Sequence, residues 1–132
     1  METLFQYAYT SCIRPEVSLT RVYEIVLASR RNNHLAGITG ILVFDGWRFF
    51  QYLEGAEHSV CKIVEKIRLD QRHHNYVELL SRAFAGPRQF SQWSMGYAFS
   101  TDEDLLATFT SLTTSDLLNK MPELVADIDM EP

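Results

Sequence analysis

Apolar and polar positions alternate over residues 4–11, LFQYAYTS, so that Phe5, Tyr7 and Tyr9 project to one side of an extended chain and Leu4 and Ala8 to the other. This β-compatible, aromatic run ends in a polar, proline-containing loop and predicts a strand. The period then changes. Leu19, Val22, Ile25 and Val26 share one face of a predicted helix that Ser18 could cap and that runs to about Asn32. GITGILVF and WRFFQYLE read as two strands joined by Asp45-Gly46, a dipeptide that favours positive φ and signals a hairpin. Val60, Ile63, Val64 and Ile67 return at helical spacing, giving a second amphipathic helix over residues 57–69. Residues 76–84 and 93–99 are two more predicted strands, separated by AGPRQFSQ.

The order βαββαβ with one further strand predicts an α+β domain of the ferredoxin-like kind, a βαββαββ sheet with the first and third strands adjacent at its centre. Tyr9 and Gln51 then lie on neighbouring strands. In the third strand Phe49, Gln51 and Leu53 oppose Phe50 and Tyr52, so both faces of the sheet carry large apolar groups. The two helices can cover only one face, and the other needs a lid. Residues 101–132 can supply it, with Thr101 capping a helix that contains Leu105, Leu106 and Phe109, and Pro122 opening a last helix with Leu124, Val125 and Ile128. Residues 1–100 and this lid are expected to form one domain.

Composition narrows the function. A chain of 132 residues can bury one core, and 46% hydrophobic with 22% charged residues is the balance of a globular domain. No apolar run reaches the ~20 residues of a membrane span, and the N-terminus lacks a basic stretch with a signal-like core, so a cytoplasmic protein without membrane contact is expected. The net charge of −5 argues against direct binding to nucleic acid. Local basic stretches at residues 29–33 and 66–74 could still hold a small anion. Cys12 and Cys61 are too few for a disulfide framework or zinc cluster and read as reduced thiols. Neighbouring histidines in DQRHH do not face one way, which argues against a metal site.

Gln51 is anomalous: a side-chain amide in the middle of a strand buried on both faces. Left without partners it would cost ~1–3 kcal/mol, so it must bond either to a backbone group or tyrosine nearby, or to a ligand. Taken singly, Tyr9, the Asn32-Asn33 pair, Trp93 and Met95 each have an ordinary structural explanation. Together, YTS at the end of the first strand, SRRNN before GITGILVF, then FFQYLEG, DQRHH and FSQWSMGY resemble, in order and spacing, the BLUF family of blue-light sensors that use FAD. The resemblance covers residues 3–98.

That resemblance implies a role for each matching residue. Tyr9 corresponds to the tyrosine that gives an electron and a proton to the excited flavin, and Gln51 to the glutamine that links it to the flavin. Asn33 and Asn32 correspond to contacts on the ring's carbonyl edge, and Ser29 to a serine near the glutamine. Ile25 and Ile67 correspond to the residues that sandwich the isoalloxazine, and Lys66, Asp70, Arg72 and His73 to polar contacts with the flavin and its chain. Some relatives have arginine in place of Lys66, which keeps the charge but not the bidentate geometry. Trp93 and Met95 correspond to the pair whose exchange between inward and outward positions is debated in the family. The implied protein is a photoreceptor and not an enzyme. It would signal through residues 101–132 to a separate partner protein or through self-association, as in a homo-oligomer. The contrasting expectation is a cofactor-free ferredoxin-like interaction module, in which Gln51 and Asn33 only knit the core.

Overall fold

A computed structural model describes residues 3–102 and 104–127. Strand β1 (Thr3–Ile13) is followed by helix α1 (Arg21–Ala36), strands β2 (Thr39–Phe44) and β3 (Arg48–Gly55), helix α2 (Glu57–Leu69), and strands β4 (His73–Ala85) and β5 (Gly96–Phe99). A short 3-10 helix (Leu106–Ser111) and helix α3 (Thr114–Asp127) complete the described chain. The sheet order is β4-β1-β3-β2-β5, with β5 parallel to β2 and the other neighbours antiparallel. This is the expected ferredoxin-like α+β arrangement, with β1 and β3 side by side at the centre.

The strand parity resolves as the alternation requires. Phe5, Tyr7, Tyr9, Phe49 and Leu53 join Val22 and Val26 of α1 and Val60 and Val64 of α2 in one core. Ala8, Phe50 and Tyr52 face the other way and pack with Leu106, Phe109, Leu117, Met121 and Leu124. Each of these last five side chains is at most 2% exposed, and burying each is worth ~1.5–3 kcal/mol relative to leaving it in water. The second face of the sheet is thus dry because the chain after β5 folds across it.

Several element boundaries differ from expectation. Ser18 is not the cap of α1: the helix begins at Arg21, and the Ser18 hydroxyl instead accepts from the Thr20 amide at 3.4 Å within the preceding turn. The helix continues past Asn32 to Ala36, where Gly37 takes the left-handed φ of 68° that ends it. In the hairpin only Gly46 has positive φ, because Asp45 uses its Oδ1 to accept from the amides of Trp47 (2.9 Å) and Arg48 (2.6 Å) and closes a wider loop. Thr101 caps nothing, since the 3-10 helix starts at Leu106. Pro122 lies inside α3 and does not open it. The Thr113 hydroxyl caps that helix instead, accepting from the Asp116 amide at 3.1 Å. The expectation for Ile128 falls outside the described residues.

Residues 93–95 do not belong to the last strand. They form an irregular approach to β5, held by one hydrogen bond from β2 and two from α1. The Gly40 amide donates to the Trp93 carbonyl (3.0 Å), Asn33 Nδ2 to the Ser94 carbonyl (2.8 Å) and Arg30 Nε to the Met95 carbonyl (3.0 Å).

Candidate functional site

Between α1 and α2, above the centre of the sheet, lies a cleft of about 180 Å³. Its floor is Tyr9 from β1, Leu42 from β2, and Phe49 and Gln51 from β3. The register pairs Tyr9 with Gln51 directly, and Gln51 with Leu42 on its other side, so these groups converge because β1 and β3 are neighbours. Ile25 and Ala28 of α1 form one wall, and Ile63 and Ile67 of α2 the other. Ser29, Asn32 and Asn33 line the α1 rim, while Lys66, Asp70, Arg72 and His73 line the α2 rim. Every cofactor-contact residue expected from the sequence therefore reaches this one cleft.

At the floor, the Tyr9 hydroxyl donates to Gln51 Oε1 at 2.5 Å, with both residues buried. Burial pushes the Tyr9 phenol far above its ordinary value of 10.0, and the neighbouring Tyr7 and Asp70 add to the shift, so Tyr9 remains a neutral proton donor. The Gln51 amide nitrogen has a much poorer partner, the Met95 sulfur at 3.7 Å. Met95 is 1% exposed and thus occupies the inward position beside Gln51. Trp93 does not line the cleft: its ring stacks on Phe90 (centroids 6.0 Å apart, planes at 13°) on the lid side of the sheet.

The α2 rim is pre-arranged by its own polar contacts. Arg72 grips the Asp70 carboxylate with Nε (2.9 and 3.1 Å) and Nη2 (2.6 Å). Burial pulls the Asp70 pKa up, but the hydrogen bonds and charge of Arg72 outweigh it and leave it below the ordinary 3.8. His73 Nε2 lies 2.7 Å from the Ile67 carbonyl, which only an N–H can satisfy, so Nδ1, 2.7 Å from Ser11 Oγ, accepts from that hydroxyl in the neutral ring. This fastens the end of α2 to β1.

A tyrosine cluster that the alternation pattern did not reveal backs Tyr9. Tyr76 stacks on it with centroids 4.6 Å apart and planes at 15°. The Tyr76 hydroxyl bonds to that of Tyr7, which also accepts from Arg68 Nη2 at 3.2 Å. This stack depends on an irregularity in β4: Thr10 pairs with Val77 and Cys12 with His74, so Asn75 and Tyr76 stand opposite Ser11 alone. Asn75, at φ 52°, supplies the bend. Leu42, Phe49 and Ile63 were findable from parity and helical spacing with Gln51 and Ile67. Tyr76 was not, because a bulge breaks the period.

The donor set suits a flat heterocycle with one polar edge. Two aliphatic walls face each other, an under-satisfied amide N–H sits on the floor, and carboxamide and basic groups ring the mouth. Comparison with known proteins identifies the family. The BLUF family, "Sensors of blue-light using FAD", matches residues 4–96. The "Blue light- and temperature-regulated antirepressor BluF" of Escherichia coli (strain K12) is 41% identical over 87 residues, 66% of this chain and 21% of that protein. The chain thus spans about a fifth of that relative's length. Among solved structures, "BlsA photo-activated state" superposes with a TM-score of 0.79 at 27% identity, covering 98% of this chain and 99% of that one. "BlrB - a BLUF protein, dark state structure" superposes with a TM-score of 0.70 at 31% identity, covering 96% and 92%. By sequence match and fold together, the chain belongs to the BLUF family of flavin-binding blue-light sensors.

Proposed function

We propose that this protein is a blue-light photoreceptor that holds FAD in the cleft between α1 and α2 and answers light by rearranging the hydrogen bonds of Gln51. The observation that carries this reading is the buried Tyr9–Gln51 hydrogen bond at the cleft floor. Ile25 and Ile67 would clasp the isoalloxazine, Ser29, Asn32 and Asn33 would meet its polar edge, and Lys66, Asp70, Arg72 and His73 would meet the rest of the cofactor. When bound, FAD supplies absorption of blue light and an excited-state electron acceptor.

The chain's own part is a proton relay. A phenol that loses an electron becomes a strong acid, and Tyr9 has one short route for its proton, from Oη to Gln51 Oε1. Gln51 is suited to relay it, because an amide that takes a proton at Oε1 can release one from Nε2 into the cleft and stay uncharged, and its donor and acceptor ends can then exchange by tautomerisation or rotation. The poor acceptor at Met95 opposes such rotation weakly. After the electron and a proton return to Tyr9, the changed donor pattern at Gln51 would persist and produce a small red shift in absorption.

The signal would pass from Gln51 through Met95 and β5 to the segment after Ser100. The Ser100 amide donates to the Phe44 carbonyl at 2.9 Å, and Phe109 meets Phe50 of the central strand edge-on at 4.8 Å. Residues 1–100 would act as the sensor and 101–132 as its relay, with output to a separate cytoplasmic partner or to a second copy of the chain, and with no catalytic turnover of its own. The deciding experiment is the visible spectrum of purified protein before and after blue light, beside Tyr9→Phe. A yellow protein with a reversible red shift, lost in the variant, supports the reading. Colourless protein that stays so with added FAD refutes it. Equal hydrogen exchange in residues 101–127 in darkness and in light would refute the relay alone.

A further inference from the structure

Glu54, near the end of FFQYLEG, plays no part in the photochemistry above, yet it is 0% exposed. A buried carboxylate is costly unless its oxygens are engaged, and those of Glu54 are. Oε1 accepts from the Tyr52 hydroxyl and the Gln89 amide, each at 2.9 Å, and Oε2 accepts from the Phe90 amide at 2.8 Å and the Thr39 hydroxyl at 3.2 Å. Two of these four donors are consecutive backbone amides of the loop between β4 and β5. Arg88 closes the arrangement, donating from Nη1 to the Glu54 carbonyl (3.1 Å) and to the Thr39 hydroxyl (3.0 Å).

What Glu54 grips is the start of the segment whose end meets Gln51. The Phe90 ring, set by the bound amide, meets Tyr52 edge-on at 5.6 Å and carries Trp93 stacked upon it at 6.0 Å. Trp93 is thereby kept on the lid side. Two residues later the chain has crossed to the helix side, where Arg30 and Asn33 hold it and Met95 reaches Gln51. The loop is moored at both ends, and the Glu54 end decides which large side chain is left to fill the cleft.

Resting on the photoreceptor reading, we infer that Glu54 is a positioning residue: by binding the Gln89 and Phe90 amides it dictates that Met95, and not Trp93, lies beside Gln51. Only an acceptor-only group suits four converging donors. A glutamine would turn an NH2 against at least one of them.

The test is Glu54→Gln in a Trp47→Phe background, which leaves Trp93 as the sole tryptophan. In flavin-free protein, hydrogen exchange over residues 89–95 should speed up about tenfold while residues 57–69 stay unchanged, and acrylamide should quench Trp93 more readily. In flavin-bound protein the dark-recovery rate should change about threefold, and the effects of Glu54→Gln and Met95→Leu should be non-additive. Unchanged exchange over 89–95, acceleration shared equally by 57–69, or independent effects on recovery would each overturn the assignment. Should Glu54→Gln fail to fold, Tyr52→Phe removes one donor from the carboxylate, and about threefold faster exchange over 89–95 is expected there; no change would overturn the inference. Failure to bind flavin would sink the photoreceptor reading, while the exchange comparison would still decide whether Glu54 holds the loop.

Discussion

The Tyr9–Gln51 pair can be tested for its energetic coupling apart from its photochemistry. Tyr9→Phe leaves Gln51 Oε1 without its donor, and Gln51→Leu leaves the Tyr9 hydroxyl without its acceptor. The residues are only 5% and 4% exposed, so water cannot readily replace the lost partner. An orphaned buried group of this kind costs ~1–3 kcal/mol, and each single variant should lose about that much stability. Removing both partners leaves no orphan. The double variant should therefore be less destabilised than the sum of the singles by ~1–2 kcal/mol. Urea unfolding of flavin-free protein, followed by circular dichroism, reads all four corners of the cycle, and light-minus-dark spectra of the flavin-bound forms should show the red shift in wild type alone. Single effects that add within ~0.5 kcal/mol would refute the coupling.

Arg72→Ala removes the guanidinium that does most to hold Asp70 below 3.8 and leaves burial, which pushes it upward, opposed only by the residue-72 amide and the His73 charge. Because the depressed pKa contributes stability present above pH 3.8 and lost as pH falls through the folded value, wild type and variant should differ most near neutrality and converge in acid; NMR titration of the Asp70 carboxylate with unfolding curves at several pH values checks this. Both side chains are partly exposed, so the gap should be no more than ~1 kcal/mol. Gly40→Ala would place a methyl 1.9 Å from the Tyr52 carbonyl oxygen, within backbone that cannot step aside, and should yield little folded protein on size-exclusion chromatography. Phe109→Ala empties a fully buried site against Phe50 and should cost ~3–5 kcal/mol in thermal or chemical unfolding, with faster exchange of α3.

The sheet was legible because β1 and β3 keep strict parity: Tyr7 and Tyr9 against Ala8, Gln51 against Phe50 and Tyr52. The need for a lid follows from that alternation alone. Most of the cleft was legible too, but the roles of its residues came from resemblance, since Asn33 or Lys66 carries no distinguishing local signal. The sequence could not choose between Met95 and Trp93. Reading both onto one strand put them on one face, whereas residues 93–95 are irregular and are steered by distant partners in Arg30, Asn33 and Gly40. Pro122 misled for a local reason, because the Thr113-x-x-Asp116 spacing held a helix-start signal that begins nine residues earlier.

The two central strands exchange tyrosine–glutamine hydrogen bonds on both faces of the sheet. On the helix side Tyr9 donates to Gln51, and on the lid side Gln6 Nε2 donates to Tyr52 at 2.9 Å. Strand residues change face with every step, so sliding β3 by a single position would bury Gln51 against the lid and swing Tyr52 and Phe50 toward the cleft. Tyr9, on β1, would stay at the cleft floor, but with aromatic rings beside it in place of the amide that accepts from its hydroxyl. The Asp45 loop fixes β3 against β2, and the alignment of β3 with β1 then decides whether Tyr9 meets an amide or a ring, so on the photoreceptor reading a light response would double as proofreading of the sheet's register.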